Sequence, residues 1–266
     1  MPENAVYSFE RDLERARGIA ERGLILRTTV GSVVHGLSNP GTDDRDEMGI
    51  CVEPPEYLLG FRRFEHFVYR TQPEGAPSGP GDLDLVVYGL RKWCHLALKG
   101  SPTVLLPLFV PPEHVVARTD LGSELQALAP AFVSRGAGRA FLGYLAAQRL
   151  GLTGERHATR TRELSRVHGY DTKYAMHALR IAHQGLELLR TGRITLPVAE
   201  PARSALREVR SGAVPLDEVL RRLDAATAEL EDAAHDPSLP AKSDVATVDA
   251  FLVGAYRRAW DAGSTA

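Results

Sequence analysis

Cysteine is nearly absent from this chain of 266 residues, which has two, Cys51 and Cys94. Each sits in an apolar segment with no CxxC or Cys/His zinc spacing, so the reading is a pair of reduced core thiols, not a disulfide framework or a zinc centre. Long apolar runs are missing too. None approaches the roughly 18 residues that a membrane helix needs. Met1 is followed by polar and charged residues, so no signal peptide is read and a cytoplasmic protein is expected. Neither charge dominates: 32 Lys and Arg face 34 Asp and Glu, for a net charge of −2 and a pI near 6.5. That balance argues against a protein that coats nucleic acid non-specifically, and leaves room for a local basic patch. There is no internal repeat and no long linker. Apolar content is ordinary at 44%, enough for one large domain or two modest ones with a sizeable core.

What is present is concentrated between Val30 and Ile50, V-G-S-V-V-H-G-L-S-N-P-G-T-D-D-R-D-E-M-G-I. An apolar strand, Leu24 to Val30, leads in, and a second apolar run, Met48 to Val52, leads out. Gly31 permits close approach of the backbone to a phosphate, and Ser32 adds a hydroxyl donor. Asp44 and Asp46 are two apart, so on a strand both carboxylates project from one face. Paired carboxylates beside a phosphate cradle suit a hard, oxygen-preferring cation such as Mg²⁺. A polar turn would use many of the same residues. The glycine–serine pair and the carboxylates together, at this spacing, favour chemistry.

The stretch resembles the active-site motif of polymerase-beta-like nucleotidyltransferases, a Gly-Ser pair followed by Asp-x-Asp. Its longer form, G-S-x-x-H-G-L…P…D-x-D-x-x-G, is similar to the RNA-repair-pathway polymerase-beta branch, which Gly31, Ser32, His35, Gly36, Leu37, Pro40 and Gly49 fit. Asp43 makes the register ambiguous by one; Asp44 and Asp46 are preferred because Gly49 then falls three places after the second. The resemblance implies a third carboxylate on a later strand. Asp84 is the candidate and Asp82 the runner-up, because the stretch from Asp84 to Lys92 is similar to the branch's Asp, Tyr, Leu-Arg-Lys pattern. Lys99 to Thr103 resembles the branch's Lys-Gly-Asn-Pro-Asn turn.

Taken in order, the chain predicts a helix over Ser8 to Glu21, the first strand, a short helix within Val33 to Leu37, and the second strand. Phe61 to Thr71, F-R-R-F-E-H-F-V-Y-R-T, alternates as a half-buried strand. The Pro/Gly-rich segment from Gln72 to Gly81 is a loop. Asp82 to Tyr88 reads as a strand, Leu90 to Leu98 as a helix, Thr103 to Phe109 as another, and Val115 to Val116 as a last short strand. From Asp120 the periodicity is helical: Leu121 to Leu128, Ser134 to Leu152, Asp171 to Arg190, Glu200 to Ser211, Leu216 to His235 and Asp244 to Ala262. The expected fold is α+β, a polymerase-beta-like nucleotidyltransferase α/β domain over residues 1–118 followed by a helical bundle over 119–266.

In the helical half Lys173, His177 and Arg180 stand at i, i+4 and i+7, and so share one helix face. They resemble the branch's Lys-x-x-x-His-x-x-Arg helix, which implies contact with nucleotide or acceptor phosphates. A second basic stretch, His157, Arg160, Arg162 and Arg166, reads as solvated surface in preference to a contact with nucleic acid or substrate phosphates. The resemblance as a whole implies transfer of an NMP from an NTP to an acceptor, with two Mg²⁺ ions held by Asp44, Asp46 and Asp84, and Gly31, Ser32 and His35 on the substrate side. The acceptor is open, an RNA end among the candidates, and so is the oligomeric state. The rival expectation is a binding module, for NTP, RNA or a partner protein, that kept the fold without turnover.

Overall fold

A computed structural model describes residues 3–38, 44–73, 76, 79–152 and 162–263. Pro40 and Asp43 of the motif, and His157 and Arg160 of the second basic stretch, lie outside the described residues. The chain divides into two compact units, one formed by Met1–Leu96, Val110–Leu128 and Val245–Ala266, the other by Ala97–Phe109 and Ala129–Asp244.

The first unit is built on a five-stranded mixed sheet. Its strands are β1 (Leu24–Thr29), β2 (Arg45–Cys51), β3 (His66–Arg70), β4 (Leu83–Gly89) and β5 (Val115–Arg118), in the order β3-β4-β2-β1-β5. Only β2 and β4 run parallel; the other pairs are antiparallel. Helix α1 (Glu3–Arg22) begins five residues earlier than the apolar spacing predicts, so Ser8 lies inside it. Ile19 and Ala20 of α1 join Cys51, Phe64, Phe67, Leu85 and Val87 in one buried cluster. Alternation along the strands therefore turns the odd-numbered side chains of β2 and β4 toward α1. Glu47, on that face, is fully buried between the guanidinium groups of Arg27 and Arg45. The even-numbered residues, Asp46 and Asp84 among them, face the other way.

The short elements differ most from expectation. The helical turn after β1 is α2 (Gly31–Val34) and starts at the glycine itself, not at Val33. Strand β2 starts at Arg45, so the charged residues ahead of Met48 belong to it. Of the stretch from Phe61 to Thr71 only His66–Arg70 pairs as β3, and a one-turn helix α3 (Pro55–Leu58) precedes it. Pro55 suits that first turn because its missing N–H would have no helical partner. Helix α4 (Leu90–Leu98) follows β4 directly, and α6 (Asp120–Ala127) follows β5, capped by the Thr119 hydroxyl, which accepts from the Gly122 N–H.

The second unit is helical: α5 (Pro102–Leu105), α7 (Arg135–Leu152), α8 (Arg162–His168), α9 (Thr172–Thr191), α10 (Ala202–Arg210) and α11 (Leu216–His235). Helices α7, α9 and α11 pack together, with Phe141, Leu145, Ala178, Ile181, Leu188, Leu223 and Leu230 buried. Asp171 caps α9 by accepting from the N–H groups of Lys173 and Tyr174, as predicted for a helix beginning there. Periodicity alone groups the last helix, α12 (Val245–Gly263), with this bundle; its polar contacts are instead with the sheet unit. The Tyr256 hydroxyl donates to the Glu53 carboxylate, and the Trp260 indole N–H donates to the Glu53 carbonyl at 2.9 Å. Among the described residues no helix is long and apolar enough to cross a membrane.

Candidate active site

Parallel pairing of β2 with β4 sets Asp46 directly beside Asp84. Two carboxylates in register on adjacent strands, on the face away from α1, is a costly arrangement unless something cationic satisfies it. Asp44, one residue before β2, completes the set: one carboxylate oxygen from each of Asp44, Asp46 and Asp84 lies within 4.8 Å of the others. All three are partly accessible. Among the described residues this is the only cluster of histidine, cysteine and carboxylate groups with such spacing. Three hard oxygen donors converging on one point, with no sulfur or imidazole among them, fit a small divalent cation.

Gly31 closes one side of the cluster. Its φ is +69°, and a Cβ there would overlap the Asp46 carboxylate. The close approach that the glycine permits is thus, in this structure, that of Asp46. The Val30 N–H donates to the Asp46 carbonyl at 2.8 Å, which stitches the glycine turn to the carboxylate strand. Ser32, next in α2, is partly accessible, whereas His35 is only 2% exposed. A ring so covered is not on the substrate-accessible surface that its motif position suggests.

On the other side, Asp84 is held from β3. The Arg70 guanidinium stands 3.4 Å from one carboxylate oxygen, and the Gln72 amide donates to the other at 3.1 Å. Asp82, the alternative third carboxylate, has a different task. It accepts from the Thr71 hydroxyl at 2.8 Å and from the Gly79 N–H at 2.9 Å, and so pins the loop between β3 and β4. Neither Arg70 nor Gln72 was singled out by spacing. Strand pairing alone brings Arg70 opposite Asp84, and that register is not readable before the partner strand is known.

Lys173, His177 and Arg180 do share a face of α9, but unequally. Lys173 is exposed, His177 partly covered and Arg180 7% exposed, with its guanidinium donating to Gln184 at 3.0 Å. Burial, then repulsion from Arg180, Lys173 and Arg210 of α10, pushes His177 down to about 3. The ring is neutral near pH 7 and can offer an N–H, not a positive charge. Burial alone lowers Arg180 to about 10, so it stays cationic. Arg210, which donates to the Thr172 hydroxyl at 3.2 Å, is a further member of this basic group that helical spacing on α9 could not reveal.

Residues 7–253 match the RNA repair pathway DNA polymerase beta family. A crystal structure of a nucleotidyltransferase-like protein from Exiguobacterium sibiricum aligns with 92% of this chain and 80% of its own, at 13% identity and a TM-score of 0.30. No curated protein matches the chain.

Proposed function

The chain belongs to the RNA repair pathway DNA polymerase beta family, and on that premise we propose that it is an enzyme that transfers an NMP from an NTP to an acceptor hydroxyl. In this reaction the acceptor oxygen bonds to the α-phosphorus, the bond to the bridging oxygen breaks, pyrophosphate leaves, and the hydroxyl proton passes to solvent. The observation that carries the reading is the convergence of Asp44, Asp46 and Asp84 beside Gly31. Mg²⁺ held by these three would supply charge neutralisation at the α-phosphate and make the acceptor hydroxyl easier to deprotonate.

The remaining roles belong to the chain itself. The α2 turn, with Ser32, holds the terminal phosphates of the nucleotide. On α9, Lys173 is exposed and offers positive charge to a phosphate, with His177 as a neutral donor, while Arg180 is buried. Positioning and electrostatic complementarity carry most of the rate in transfers of this kind.

The test is incubation of the protein with each α-labelled NTP, Mg²⁺ and either total RNA or protein, followed by a search for label in a larger product. Label retained in an acceptor, and lost with Asp46→Asn, supports transfer. Tight NTP binding with no labelled product from any acceptor supports a module that binds without turnover.

A further inference from the structure

The sheet face that carries the triad is covered at its centre and open at one edge. Met48 and Ile50 of β2 are buried there, Val86 and Tyr88 of β4 partly so, and His66, Val68 and Arg70 of the edge strand β3 are exposed. Register fixes this: Arg70 pairs with Asp84, Val68 with Val86 and His66 with Tyr88, so all six share the face. An accessible strip therefore starts at Asp84 and follows β3 for four residue steps, about 13 Å.

The chemistry of the strip is cationic and aromatic. Arg70 marks its active-site end, 3.4 Å from Asp84. The His66 and Tyr88 rings lie 6.0 Å apart at the other end. The segment leading into β3 then presents Phe61, fully exposed, with Arg62 and Arg63, both exposed and in no ion pair among the described residues. Phe64 and Phe67 are buried beneath and hold the segment to the core. An exposed phenylalanine by itself is ordinary. Next to two exposed guanidinium groups with no ion pair among the described residues, and five residues ahead of His66 in the chain, it makes a surface with separate places for base faces and for phosphates.

We propose that this strip seats the acceptor as a single-stranded polynucleotide, its terminal hydroxyl at the triad and its preceding nucleotides along β3 toward Phe61. The proposal rests on the nucleotidyl-transfer reading for which end of the strip holds the hydroxyl. An acidic peptide would satisfy the arginines but has no use for the flat apolar faces. A duplex keeps its bases stacked inside and cannot offer them to Phe61.

The test is fluorescence anisotropy of a labelled 12-nucleotide single strand with a free 3′ hydroxyl, titrated with the full chain without nucleotide or divalent metal, at several salt concentrations. RNA and DNA of one sequence are compared with the blunt duplex. The double variant Arg62→Gln/Arg63→Gln should weaken single-strand binding about tenfold and flatten the log–log salt slope by about 1.4, from two phosphate contacts at ~0.7 each. Phe61→Ser should weaken it about tenfold with the slope unchanged. All three side chains are exposed, and unchanged far-ultraviolet dichroism checks the fold. Single-strand binding at wild-type strength in both variants overturns the proposal. So does tighter binding of the duplex, or capture of acidic peptides but no polynucleotide. Calorimetric titration of NTP with Mg²⁺ runs in parallel: if NTP binds and the single strand does not, the strip fails and nucleotidyl transfer stands. If the single strand binds through these residues and NTP does not, the transfer reading fails alone.

Discussion

Gly31 and Asp46 cannot both carry a side chain in this structure: the carboxylate of Asp46 occupies the space that a Cβ on Gly31 would take. The two halves of the motif, fifteen positions apart by their numbers, are thereby one object. The glycine φ of +69° adds a second constraint, since an L side chain there costs about 1–2 kcal/mol.

Gly31→Ala is therefore expected to move Asp46 out of the cluster as well as to strain the turn. Titration with Mn²⁺, followed by calorimetry or by its electron spin resonance signal, should show at least a tenfold loss of cation affinity, worth about 1.4 kcal/mol. Thermal unfolding should show a smaller loss. Wild-type cation affinity in the variant would mean that Asp46 does not need this space.

The two candidates for the third carboxylate separate by turnover and by cation binding. Asp84→Asn should lower turnover by at least about a hundredfold, several kcal/mol of transition-state stabilisation. Asp82→Asn should leave cation binding within about threefold, because its partners are Thr71 and Gly79 of the adjoining loop. Its expected signature is faster hydrogen exchange across residues 71–83. A larger turnover loss from Asp82→Asn than from Asp84→Asn would exchange the two assignments.

Much of the site is legible in the sequence because it depends on local spacing. Asp44 and Asp46 reveal their common face by period two, and Asp171 reveals a helix start by its residue type. What was not legible depends on pairing between distant segments. Arg70 meets Asp84 only through the β3–β4 register. The last helix carries a good bundle-like periodicity, yet it is fastened to the sheet unit by Tyr256 and Trp260, and nothing in its own pattern names Glu53 as their partner. His35 shows a related limit: motif position suggested access, and only packing reveals that it is covered.

Glu53 makes that fastening testable. It is buried at the end of β2, where its carboxylate accepts from the Leu90 N–H at 3.0 Å and so caps α4 from outside the helix. A Cβ on Gly89 would overlap it. Burial raises the Glu53 carboxyl above its ordinary value, and the bond from Tyr256 is the largest influence pulling it back down. Tyr256→Phe removes that bond and should cost about 1.5–3 kcal/mol where Glu53 is ionised. The sign with pH follows from linkage. A raised folded-state value means the folded protein holds the proton more tightly, so this residue's contribution is lost as pH rises. Removing Tyr256 raises the value further, so the variant should suffer more at pH 8 than at pH 4.5. Urea midpoints at the two pH values check this; an equal or larger loss at pH 4.5 would exclude it.

His177 predicts the opposite slope from a different cause. Its folded-state value of about 3 lies well below the unfolded value near 6.5. Between those limits the unfolded chain binds a proton that the folded chain refuses, so stability falls as pH drops from about 6.5 toward 3. Arg180 and Lys173 on its own helix and Arg210 from α10 all oppose protonation, after burial, which is the largest influence. His177→Gln keeps a neutral donor of similar reach and cannot take up the proton. The variant should match the wild type within about 1 kcal/mol at pH 7.5, the usual cost of one altered neutral hydrogen bond. It should then lose less stability than the wild type at each step down to pH 4. Urea unfolding at pH 7.5, 6, 5 and 4 measures both curves. If they run parallel, His177 is free to protonate in the folded chain. The role of a neutral donor beside two permanent cations must then be given up for that of a third cation.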